Sequence, residues 1–150
     1  MKLENNVTII TGAGQGIGEA YANRFVDEGA KVAVADINRD KGEAVAAALR
    51  AKGGDAFFVP VDVSNEDDTR RMAQTVADKW GRVDTLIANA AIFYDIDNLD
   101  HSYAYLRKIF DVNFFGVWLS ARAVYPLMKR QGKGSIITQS SGAAYMHPYV

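Results

Sequence analysis

Residues 11–18 read Thr-Gly-Ala-Gly-Gln-Gly-Ile-Gly, directly after the apolar run Val7-Thr8-Ile9-Ile10. A strand that ends in a glycine cluster and feeds a helix leaves bare backbone N–H groups at the helix N-terminus. Such a terminus is an anion site, and the usual anion is the pyrophosphate of a dinucleotide. Glycines let the backbone approach the phosphates closely. The spacing is selective. A Gly-x-Gly-x-x-Gly fingerprint begun at Gly12 would need a third glycine at Ile17. Gly12, Gly16 and Gly18 fit Thr-Gly-x-x-x-Gly-x-Gly instead, with Thr11, Gln15 and Ile17 as loop residues over the cofactor.

The rest of the chain alternates short apolar runs with helical patterns. Strands are expected at 7–11, 31–36, 56–61, 85–88 and 135–138. Helices are expected at 16–28 (closed by Gly29), 39–52 (stopped by Gly53-Gly54), from Ser64 to Trp80 (with Ser64 and Asp67 as a weak capping box), and about 103–130. Strands joined by helical crossovers predict an α/β, doubly wound parallel sheet of Rossmann type, with helices on both faces. The 150 residues are about one domain, with no repeat, linker or low-complexity tract. The apolar side chains Phe110, Phe114, Phe115, Val117 and Trp118 in the long helix read as core or subunit contact, not as a membrane element.

Composition narrows the function classes. The net charge of −1 points to no polyanion, so no nucleic-acid partner is expected. No cysteine means no disulfide framework and no thiolate metal site. His101 and His147 lie far apart with no carboxylate cluster near either, and no metal is expected. The polar start lacks the apolar stretch of a signal peptide, and no run approaches the ~18 apolar residues of a membrane span. A soluble cytoplasmic protein is the default expectation.

Asp36 ends the second strand, eighteen residues after Gly18. A lone Asp there is an ordinary turn former. One β-α-β unit after a glycine loop it is the expected acceptor for the adenosine ribose hydroxyls. Its charge would repel a 2′-phosphate and favours NAD over NADP, although Arg39 nearby could meet such a phosphate. Asn113 lies in an apolar helix, where a buried amide needs partners; bonding its own helix backbone would be the simplest use.

In order, the motifs Thr-Gly-x-x-x-Gly-x-Gly at 11–18, Asp36, Asp62-Val63, Asn89-Ala90-Ala91, Asn113 and Ser140-Ser141 resemble the short-chain dehydrogenase/reductase family over essentially the whole chain. The resemblance implies that Asp62 and Val63 contact the adenine, and that Asn89 braces the sheet and borders the cofactor. It further implies that Asn113 distorts its helix and holds a water in a proton relay. The family usually shows Asn-Asn-Ala-Gly where this chain has Ala88-Asn89-Ala90-Ala91. Aligned on the fifth strand, Ser141 rather than Ser140 matches the catalytic serine, whose hydroxyl would hold the substrate oxygen.

The family's proton donor is a tyrosine in Tyr-x-x-x-Lys after that serine, and no such pair follows Ser141. Tyr125 with Lys129 has the letters but precedes the fifth strand, and reads as a decoy. The expectation is therefore a sheet incomplete at its C-terminal edge, truncated after the fifth strand, and a 150-residue chain without turnover on its own. The longer enzyme would pass a hydride between nicotinamide C4 of NAD(H) and a secondary alcohol/ketone pair. It would act on a small-molecule alcohol or ketone as a homo-oligomer, tetramer or dimer. Two alternatives stand beside this: a non-catalytic dinucleotide-binding sensor or scaffold, and a flavin-binding electron carrier, whose phosphate loop would be rich in Ser and Thr. The loops 92–101 and 142–150 would line the substrate pocket, where Phe93, Tyr94, Tyr145, Met146 and Tyr149 suggest an apolar or cyclic substrate.

Overall fold

A computed structural model describes residues 1–93 and 102–142. Tyr94, His101, Tyr145, Met146, His147 and Tyr149 lie outside the described residues. Strands β1 (Val7–Thr11), β2 (Lys31–Asp36), β3 (Ala56–Pro60), β4 (Thr85–Ala88) and β5 (Ser135–Thr138) alternate with helices α1 (Gly16–Asp27), α2 (Arg39–Ala51), α3 (Glu66–Trp80), α4 (Tyr103–Phe110) and α5 (Gly116–Gln131). All neighbouring strands pair in parallel, in the order β3-β2-β1-β4-β5. The strand order therefore reverses between β1 and β4, and the crevice beyond their C-terminal ends is where ligands bind in sheets of this kind.

Both faces of β1 are covered. Ile9 packs with Val59, Met72, Val76, Leu86 and Val124, the side taken by α3 and α5. Ile10 packs with Ala22, Val34, Val45, Leu49 and Ile87, the side taken by α1 and α2. Adjacent residues on a strand point to opposite faces, so one apolar run feeds two cores. Strand β5 lies at the edge, and all four of its residues are exposed.

The structure corrects two local expectations. Helix α3 is capped by Asn65, whose Oδ1 accepts from the backbone N–H groups of Asp67 and Asp68. Ser64 instead bonds Asp62, so the Ser64–Asp67 capping box does not form. The long helix is not uniform: residues Asp111–Phe115 form a π-helical turn between α4 and α5. Its apolar side chains divide: Val117 packs against the core, while Phe115 is exposed. Phe110, Phe114 and Trp118 are 59%, 62% and 54% exposed, four residues apart on one face.

Helix α5 is fastened beside β4 at both ends. Near one end, the Gln131 amide accepts from Val83 N–H at 2.9 Å and donates to Val83 C=O at 2.8 Å. At the other, the Asn113 amide makes the same two bonds with the backbone of Ile92, both 2.8 Å. Asp84, just before β4, is buried and accepts from Val7 N–H at 3.0 Å while Arg82 chelates its carboxylate. Burial pushes the Asp84 carboxyl up, but the Arg82 guanidinium, the Val7 N–H and the more distant Lys133 outweigh it and hold the group below the usual carboxylate value.

Candidate cofactor site

Because the strands are parallel, the chain segments leaving β1, β2, β3, β4 and β5 gather along one sheet edge. They carry, in turn, the glycine loop, Asp36, Asp62, Asn89 and Ser141. The sheet thus brings together residues up to 130 positions apart.

Thr11 ties the β1 end to the β4 end. Its buried hydroxyl accepts from the backbone N–H groups of Asn89 and Ala90, each at 3.1 Å, and donates to Ile87 C=O at 3.4 Å. Asn89 answers from the other side: its amide donates to Thr11 C=O at 3.0 Å and Gly12 C=O at 3.3 Å. The two side chains together tie the end of β1 to the end of β4. Ala91, where the family carries glycine, is exposed.

The loop glycines have different reasons. Gly12 has φ +66°, and a Cβ there would lie 2.8 Å from Ala90 Cα. A Cβ on Gly18 would lie 2.2 Å from Gly12 C=O, inside any tolerable contact. Gly16 has φ +59° but open space around it, leaving its backbone accessible to a ligand.

The N-terminus of α1 differs from those of α2, α3 and α4. Helices α2, α3 and α4 are closed by side-chain caps from Asn38, Asn65 and Ser102. The α1 cap residue, Gln15, makes no cap bond, and its amide oxygen accepts from Lys41 Nζ at 2.5 Å instead. The first N–H groups of a helix have no intrahelical acceptor. At α1 they are left without a side-chain cap at the crevice, with Ile17 exposed beside them.

Asp36 is held from two sides. Its Oδ2 accepts from Gly14 N–H at 2.8 Å and its Oδ1 from Asn38 N–H at 2.9 Å. Each oxygen keeps a further acceptor position, enough for a diol. Gly14 was not singled out in the sequence, yet a Cβ there would lie 2.9 Å from Asp36 Oδ2. The Gly-Ala-Gly run at 12–14 was the available signal.

Asp62 folds its own loop: Oδ1 accepts from Ser64 N–H at 2.9 Å and Ser64 Oγ at 2.6 Å. Val63 is buried, packed toward α5, where a Cβ on Gly116 would lie 2.7 Å from its Cγ2. Asn113 sits in the π-helical turn, as a helix-distorting residue should, but its amide is spent on Ile92 rather than on its own helix. Ser140 and Ser141 follow β5 and are exposed. Tyr125 lies twelve residues beyond Asn113 on α5, about 18 Å along the axis at 1.5 Å per residue, toward the Gln131 end. The helix that carries it runs away from the crevice, which agrees with its reading as a decoy.

Residues 6–150 match the short chain dehydrogenase family, and the chain belongs to that family. It is 44% identical over 147 residues to an uncharacterized oxidoreductase of Mycobacterium tuberculosis, covering 96% of this chain and 59% of that protein. It is 37% identical over 145 residues to zerumbone synthase of Zingiber zerumbet, covering 94% and 53%. A solved short-chain type dehydrogenase/reductase from Mycobacterium marinum superposes with a TM-score of 0.92 at 33% identity, over 99% of this chain and 61% of that one. A hydroxysteroid dehydrogenase from Escherichia coli superposes with a TM-score of 0.80 at 34% identity, over 91% and 54%. The chain thus spans between half and two thirds of the length of these relatives. The family uses nicotinamide dinucleotides, NAD or NADP. No helix among the described residues is long and apolar enough to cross a membrane.

Proposed function

We propose that this chain forms the NAD-binding part of an oxidoreductase that interconverts a secondary alcohol and a ketone. The observation that carries the reading is the α1 N-terminus without a side-chain cap, opening at the strand-order reversal beside Asp36. Bound NAD would supply the hydride acceptor. The backbone of Gly12–Gly18, with Gln15 and Ile17 over it, would hold the pyrophosphate. Asp36 would accept the ribose hydroxyls and disfavour a 2′-phosphate. Asp62 and Val63 would border the adenine, and Thr11 and Asn89 the crevice floor. Ser141 would hold the substrate oxygen by donating a hydrogen bond to developing negative charge.

Asn113 would serve the proton relay through its main chain, because its amide is already committed to Ile92. A π-turn shifts helix hydrogen bonds by one residue and often marks a functional site. The exposed stripe of Phe110, Phe114 and Trp118 supports a homo-oligomer. The proposed setting is the cytoplasm, with a small alcohol or ketone as substrate.

The test is calorimetric titration of the chain with NAD and NADP, followed by assay of reduced nicotinamide formation from secondary alcohols by an enzyme that carries this chain. Tighter NAD binding and turnover support the reading. Tight binding without turnover of any alcohol would point to a sensor or scaffold.

A further inference from the structure

Two cations follow Asp36 on the first turn of α2, and the structure disposes of them differently. The Arg39 guanidinium lies over the Phe58 ring, 5.7 Å from its centroid. Phe58 belongs to β3, so Arg39 is drawn to the β3 side of the sheet, away from the loop that follows β1. Lys41 is drawn the other way. Its ammonium donates to Gln15 Oε1 at 2.5 Å, on the loop itself. The residue next to Gln15 is Gly14, whose N–H holds Asp36 Oδ2 at 2.8 Å. Gln15, Gly14 and Asp36 therefore place the Lys41 ammonium on the rim of the proposed ribose pocket.

We infer that Lys41, and not Arg39, sets how far this site tolerates a phosphate on the ribose 2′ position. The inference rests on the dinucleotide reading above. A 2′-phosphate would bring negative charge beside Asp36, and only a nearby cation can offset that repulsion. Lys41 and Gln15 are both exposed, and their bond joins an ammonium to a neutral amide. Exchanging that amide oxygen for a phosphate oxygen replaces a weaker acceptor by a charged one. A flexible lysine stem needs only a rotamer change to do so. Asp36 thus sets the preference for NAD, while Lys41 limits its size.

The experiment measures the affinity of the chain for NAD and NADP at fixed ionic strength, with NADP read by displacement of NAD where direct titration is too weak. Lys41→Ala is expected to lower NADP affinity by about five- to tenfold while NAD stays within about twofold. Lys41→Arg should restore NADP binding, and Arg39→Ala should leave the ratio unchanged. A changed ratio in Arg39→Ala with none in Lys41→Ala would overturn the inference. So would equal weakening of both cofactors by Lys41→Ala, which would make Lys41 a tether for Gln15 and nothing more. Failure of the wild-type chain to bind either dinucleotide would be a different result, removing the dinucleotide reading itself.

Discussion

The side chain of Asn113 and the backbone of Ile92 exchange two hydrogen bonds, both 2.8 Å, and so join the π-helical turn to the segment that leaves β4. Gln131 and Val83 do the same at the other end of the strand. The two amides are eighteen residues apart, and each reaches the backbone flanking β4. Asn113→Ala and Gln131→Ala should each cost about 1–3 kcal/mol, since each strands a backbone donor and acceptor. At about 27 Å separation along the helix the two costs should add. Urea unfolding of the single and double variants checks this; a double variant no worse than either single one would show that the two ends act as one unit.

Asp36 has two duties in the proposed site, toward the ribose and toward Gly14. Asp36→Ala should weaken NAD by roughly tenfold or more, the loss of one charge-assisted hydrogen bond of ~1.5–3 kcal/mol. It should also erode the preference over NADP. Inorganic pyrophosphate, which has no ribose, separates the duties. If Asp36 also shapes the loop, pyrophosphate binding weakens in the variant. If it serves the ribose alone, removing a negative charge strengthens that binding.

Gly16 and Gly18 should fail in different ways. A Cβ at Gly18 collides with Gly12 C=O, so Gly18→Ala should abolish dinucleotide binding and lower stability. Gly16 has room, and Gly16→Ala should cost only the ~1–2 kcal/mol of a left-handed backbone. Gly16→Asn should be milder still, because asparagine tolerates that region. Thermal melts with and without NAD would report both effects; equal damage from the two alanines would remove the distinction.

Ser140 and Ser141 follow β5 (Ser135–Thr138), and side chains that keep a strand's alternation face opposite sides. In an enzyme that carries this chain, Ser141→Ala should lower kcat by ~10²-fold or more, as loss of one oxyanion-type donor does. Ser140→Ala should be mild. Tyr125→Phe should leave kcat nearly unchanged because Tyr125 lies far along α5 from Asn113. Steady-state kinetics decides, and a crippled Ser140→Ala with an active Ser141→Ala would move the assignment by one residue.

The lowered Asp84 carboxyl fixes the sign of one pH effect. Its folded value lies below the ~3.9 of an unfolded Asp. The stability it contributes is fully present above that unfolded value and is lost as pH falls through the folded one. Asp84→Asn should therefore lower stability near pH 7 and reduce its acid dependence below about pH 4. Chemical unfolding at several pH values would show it; an unchanged acid slope would mean that other carboxylates dominate.

Strands β1, β2 and β4 were legible because a strand buried on both faces reads as a largely apolar run, bounded here by Asp, Asn and Gly. The motif order then located Gly12, Asp36 and Asn89 along one edge. What stayed hidden depends on partners distant in sequence. Nothing local marks Gln131 as the partner of Val83, or Lys41 as the partner of Gln15. The π-helical turn was hidden for another reason: one shifted turn inside a long apolar helix scarcely disturbs its periodicity. At α3, two capping residues stand side by side; Ser64 is bonded to Asp62, and the cap is Asn65.

The Thr11 hydroxyl is the single atom on which Asn89 N–H and Ala90 N–H both converge, while it donates to Ile87. It sits where the sheet would part if the crevice were to open like a book. Parting the seam there would break three hydrogen bonds to one hydroxyl as well as the β1–β4 ladder. In the proposed site, entry and exit of a ligand would then fall to the glycine loop and the Gln15–Lys41 clasp beside this seam.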